Sequence, residues 1–306
     1  MSPDSTTATL PPDDPAAAEV RAELTRSLPW RRLWADRLAS GGMWLAVVVA
    51  VVPLAFVIGY VAKQGLSHLS WAMLTEPIPT SRTIGPGIGP AVVGTIVITL
   101  TATVMAVPLG ILAAVYLNEY GHDGRLAAFI RFMSNVMAGV PSIVMGLFVY
   151  TVWVLRFKTQ TGFAGALALA CLMLPIVIRS TEEMLRLVPT GLREASLALG
   201  ASRSRTTLTV VLPAAIPGIT SGALLAVARA AGETAPLLFT IGITTSANWN
   251  PFEGANVALS QLIFTNATQP FVGAQQRAWV AAFTLIALVL LLTIAARIIA
   301  NRFASR

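Results

Sequence analysis

Arg229 and Glu233, two charges in an otherwise uncharged stretch, are the residues with the clearest capacity for chemistry. Spaced by four, they share a helix face and can pair. A guanidinium stays charged and presents two parallel donors, a geometry suited to an oxyanion. A neighbouring carboxylate tempers the positive field, so that a bound anion can also leave. The competing reading is a self-neutralised pair that only fixes helix packing. Arg179 and Glu182 form a second set, for which a topological anchor beside a solvated acid is the alternative. No nucleophile and base pair is recognisable. His68 and His122 stand without ligand spacing to Cys or acidic partners, which argues against a metal site. The single cysteine, Cys171, lies in an apolar run and reads as packing.

The setting of these charges is apolar. Of 306 residues 55% are hydrophobic and 11% charged, far below the charge content of a soluble domain. The net charge of +7 is spread between apolar runs rather than gathered in a stripe, so membrane topology explains it better than nucleic acid. A bilayer core of about 30 Å needs about 20 apolar helical residues, and six runs meet that need: Met43 to Ala62, Ile88 to Leu117, Phe132 to Leu155, Thr159 to Ile178, Ile216 to Ile243 and Ala278 to Ala296. The reading is an all-α integral membrane bundle of six helices. Residues 1–38 form a tail, disordered over its first 29 residues, and 39–306 form the transmembrane domain. Prolines 53, 108, 141, 175 and 236 fall inside spans and can kink them. Gly162, Gly165, Gly218, Gly222 and Gly232 allow helices to approach closely.

Orientation follows from Lys and Arg in the connecting segments. One side carries 15: Arg21, Arg26, Arg31, Arg32, Arg37, Arg125, Arg131, Arg179, Arg186, Arg193, Arg203, Arg205, Arg297, Arg302 and Arg306. The other carries five: Lys63, Arg82, Arg156, Lys158 and Arg277. Both termini are therefore expected to be cytoplasmic, with Arg179 to about Leu208 as the longest cytoplasmic connection.

That connection holds the most specific pattern in the chain: Glu194, Ala195, Ser196, three residues, Gly200, nine residues, then Val210, Val211, Leu212 and Pro213. Pro189 to Leu199 can form a short amphipathic helix, Gly200 can end it in a left-handed turn, and Pro213 marks a further break. The pattern resembles the EAA loop of ABC importer permeases, departing only at Ser196 and Val210. The resemblance implies that residues 181–212 form a coupling loop seated in a groove of an ATPase subunit. Glu194, Ala195, Gly200, Leu212 and Pro213 would be its coupling residues, with Glu194 the polar contact. Lys63 and Lys158 follow Ala62 and Phe157 rather than glycine, so the chain has no Walker A sequence. ATP and Mg would belong to partner subunits, and this chain would be a translocation subunit without enzymatic activity.

Gly139 to Phe148 (GVPSIVMGLF) and Arg229 to Thr240 (RAAGETAPLLFT) look like segments of the phosphate-specific ABC permeases, and GETAPLLFT is closer to the PstA type than to the PstC type. This resemblance implies a heterodimer with a PstC-type permease, two PstB-type ATPase subunits and an extracytoplasmic PstS-type phosphate-binding protein, in a bacterial cytoplasmic membrane. Arg179, Glu182 and Arg229 match residues implicated there in phosphate passage, and Glu233 belongs to the matching GET segment. Whether Glu233 pairs with Arg229 or lines the path stays open. Thr244 to Gln275, with Trp249, Phe252 and Phe271, is a candidate docking surface for the binding protein or an interfacial aromatic belt. Other cargos such as sulfate or molybdate, and an ATP-independent channel or carrier gated by Arg229 and Glu233, remain as alternatives.

Overall fold

The computed structural model describes residues 30–79, 85, 87–121 and 124–304. Residues 1–29 of the expected N-terminal tail, with Arg21 and Arg26, and likewise Arg82, His122 and Arg306, lie outside the described residues, while residues 30–38 of that tail already belong to the first helix. Every regular element among the described residues is helical. The chain divides into two compact units, Met1–Gly59 and Tyr60–Arg306. Helix α1, Trp30–Ser67, runs 38 residues through that boundary, and its described side chains in the first unit face outward, as lipid-facing Val, Leu and Phe would.

The second unit is built around two long helices, α3 (Gly89–Tyr120, ending in a π turn) and α6 (Gly162–Arg186). Small residues bring its helices together. Ala102 and Ala106 of α3, Ala166 and Ala170 of α6, and Ala226 and Ala230 of α8 (Arg203–Gly232) share one buried cluster with Ile98, Leu169 and Met173. Without a hydrophobic drive between helices in lipid, such close alanine contact maximises dispersion attraction. A second cluster joins Met73 of the short α2 (Trp71–Thr75) to α10 (Leu259–Ala267) and to Val280 and Ala281 of α11 (Val272–Ala304).

Four expectations need correction. The third span, Phe132 to Leu155, is two helices, α4 (Arg125–Gly139) and α5 (Ser142–Phe157), bent by 109°. Pro141 cannot donate to the Met137 carbonyl, and its ring drives Val140 into an extended conformation (φ −74, ψ 129). The fifth span is likewise interrupted: α8 ends at Gly232, Glu233 is extended (φ −71, ψ 129), and only the four-residue α9 (Leu237–Thr240) follows. Pro236 removes the donor that would have continued the helix to Gly232. Pro213, by contrast, breaks nothing. A π turn over Thr207–Val211 precedes it, and α8 runs through. The connection expected over Arg179 to Leu208 is shorter as well, because α6 continues to Arg186 and α8 begins at Arg203.

Candidate functional site

The two proline breaks face the same space. An open cavity of about 380 Å³ is lined by Val140, Pro141 and Ser142 at the first break, by Arg229 and Glu233 at the second, and by Arg179 of α6. Gly146 of α5 lies where a methyl group would meet the Pro236 Cα at 2.5 Å, so the segments following the two breaks touch. Ser142 begins a helix whose N-terminal partial positive charge therefore sits at the cavity wall. Two guanidiniums and one carboxylate leave the cavity with a formal charge of +1. The arrangement can hold an oxyanion without neutralising it fully.

Arg229 occupies the last turn of α8, where a cation is favoured by the helix dipole. Its Nε lies 3.6 Å from Glu233 Oε1, beyond a good hydrogen bond, and its side chain is 68% exposed. The two residues thus pair loosely and both line the cavity. Glu233 is fixed through its backbone: its amide donates to the Ala230 carbonyl, and the buried Ser260 hydroxyl of α10 donates to its carbonyl at 3.0 Å. Arg179 does not pair with Glu182. It donates from Nη2 to Asn135 Oδ1 of α4 at 2.7 Å. Glu182, one turn on, receives Arg131 of α4 at 3.1 Å and Arg186 at 2.6 Å.

Next along the chain from α6 stands the expected knob. Helix α7, Thr190–Ala198, follows Pro189. Gly200 takes φ +84, its amide donates to Leu197 and that of Ala201 to Ser196. That is the double closure of a Schellman ending, which only a left-handed residue permits. Glu194, Ala195 and Gly200 are exposed on this knob. Leu212 instead packs at its root, beside Leu185, Val188, Val211 and Ala215, while Pro213 is exposed.

Residues read from sequence only as topology charges tie the knob down. Arg193 donates to Glu119 Oε1 at 3.0 Å and to the carbonyls of Leu185 at 2.8 Å and Val188 at 2.6 Å. One guanidinium thus caps the C-terminal end of α6 and joins it to the end of α3 and to α7. No spacing rule signals this contact, since Glu119 and Arg193 are 74 residues apart. Residues 244–275 are less open than a loop: α10 lies within them, and the side chains of Asn248 and Asn256 hold the turn over Asn250 to Ala255. Trp249 and Phe252 remain exposed, and Phe252 stacks on Phe163 at 5.0 Å.

Comparison with known proteins places this architecture. Residues 106–305 match the family of binding-protein-dependent transport system inner membrane components, and the chain belongs to that family. Two solved structures share the fold: an importer of the acidic polysaccharide alginate (TM-score 0.57, 14% identity, 89% of this chain and 99% of that one) and the inward-facing methionine transporter MetNI (0.55, 21%, 70% and 93%). Within the family the chain is 42% identical, over 92% of its length and 93% of the relative's, to the phosphate transport system permease protein PstA 1 of Mycobacterium tuberculosis. It is 41% identical, over 88% and 91%, to the corresponding PstA of Yersinia pestis.

Proposed function

We propose that this chain is the PstA-type permease subunit of an ATP-driven importer that carries inorganic phosphate across a bacterial cytoplasmic membrane by alternating access. The single observation that carries an oxyanion cargo such as phosphate is the cavity at the two proline breaks, where Arg179, Arg229 and a helix N-terminus converge with one carboxylate. The relatives' phosphate permease names support the same cargo. Arg229 binds the anion, Glu233 limits how tightly, and Asn135 holds the Arg179 guanidinium in place. The α7 knob, with Glu194 foremost, docks on a PstB-type ATPase, which binds ATP and Mg. A PstC-type permease completes the path, a PstS-type binding protein delivers phosphate at the opposite end, and both termini lie in the cytoplasm.

The test is Arg229→Ala. Uptake of labelled phosphate is expected to be lost while the partner subunits still co-purify, because the substituted residue is remote in sequence from the knob and only loosely paired. Wild-type uptake by this variant would return Arg229 to a packing role. Transport by the isolated chain without nucleotide would favour a channel.

A further inference from the structure

A second cavity, of about 290 Å³, lies one step further along α6 towards the knob, between α4 and α6. Arg179 lines both cavities, so the two adjoin. Arg131, Arg179 and Arg186 surround the lower one, with Glu182 and Glu183 as its acids and Ser134 and Asn135 as neutral polar groups. Its formal charge, like that of the upper cavity, is +1.

Two details point to a ligand. Three donors, Arg131 Nε at 3.3 Å, Arg131 Nη2 at 3.1 Å and Arg186 Nη2 at 2.6 Å, converge on the same carboxylate oxygen, Glu182 Oε1. Glu182 thereby occupies, as part of the protein, the position a phosphate oxygen would take between two guanidiniums. Second, the Ser134 hydroxyl is buried on this cavity's wall, its residue 5% exposed, without a hydrogen-bond partner. Buried hydroxyls without partners are rare and costly, and a bound oxyanion would satisfy this one.

We propose that this cavity is a second oxyanion station, in which phosphate leaving Arg229 and Arg179 displaces the Glu182 carboxylate from Arg131 and Arg186 and accepts the Ser134 hydroxyl before release. The inference rests on the phosphate-importer reading. Glu182 acts as the displaceable counter-ion: it keeps the arginines from holding phosphate permanently and re-forms its bonds once the anion departs. A permanently occupied station would stall transport, so the carboxylate sets the release step.

The test is equilibrium binding of labelled inorganic phosphate to the complete transporter in nanodiscs, without binding protein or nucleotide. Glu182→Gln removes the competing charge and is expected to bind phosphate about tenfold tighter, within the range of ordinary site-to-site couplings, while uptake slows. Ser134→Ala is expected to weaken the same binding several-fold. Unchanged phosphate affinity in assembled Glu182→Gln overturns the proposal. Should that variant not assemble, unchanged affinity in Ser134→Ala overturns it instead. Arg229→Gln separates the two readings. Its loss of uptake alongside unchanged binding in the other variants retires only the second station, whereas its wild-type uptake refutes the importer path itself.

Discussion

Replacing Arg193 by glutamine should loosen the knob from the bundle by a calculable amount. The guanidinium makes three bonds, to Glu119 Oε1 and to the Leu185 and Val188 carbonyls. Glu119 is 8% exposed and Arg193 20%, so solvent screens the pair little. Leaving one ion of a buried pair uncompensated costs about 3–5 kcal/mol, and the low end applies because Arg193 retains some contact with water. At about 1.4 kcal/mol per tenfold, a loss of about 3 kcal/mol opens α7 roughly 100-fold more often. Hydrogen exchange reads this directly: amides of Thr190–Ala198 should lose about two orders of magnitude of protection, while those in the middle of α3 and α6 change little. Arg193→Lys keeps the charge but not the fork and should fall between. Arg193→Gln combined with Glu119→Gln should cost less than the two single changes added together, since neither charge is then left alone. Exposed Glu194→Ala is the control. Protection of α7 within threefold of wild type in Arg193→Gln would refute the contribution assigned to the pair.

Two further substitutions probe backbone geometry. Gly200→Ala meets open space, but its φ of +84 costs a side-chain-bearing residue about 1–2 kcal/mol; co-purification of the ATPase subunit should fall while the membrane helices keep their stability. Gly146→Ala forces a methyl onto the Pro236 backbone at 2.5 Å and should cost about 1–3 kcal/mol of overpacking, measured as a lower thermal midpoint of the purified chain, whereas Gly191→Ala, with nothing within 4 Å, should not shift it.

The membrane fold was legible because lipid demands long apolar helices, and runs such as Ile88 to Leu117 admit no other reading. The knob was legible too, since Gly200 and the helix before it obey local capping rules. The breaks were harder to place. Pro141 and Pro236 sit in apolar runs as Pro108 and Pro175 do, yet the latter two remain inside helices. Whether a proline kinks or ends a helix depends on which neighbours meet the freed carbonyls, a tertiary matter. For the same reason the sequence placed Arg229 and Glu233 on one continuous helix, whereas Glu233 lies just past its end. Arg131, Arg186 and Arg193 stand in the sequence only as topology charges, and their contacts to Glu182 and Glu119 arise only when α3, α4, α6 and α7 pack. Charge counting speaks only to the side of the membrane on which such arginines are expected, not to the carboxylates they meet.

Phosphate import by this chain is tested by uptake of labelled phosphate in cells lacking it and in the same cells with it restored, at low external phosphate, without a second phosphate importer and with excess sulfate present. Uptake is expected to return with the chain, to resist sulfate and to disappear when ATP is depleted. Uptake that does not change when the chain is restored would contradict the phosphate assignment, and restored uptake that survives ATP depletion would contradict the importer mechanism.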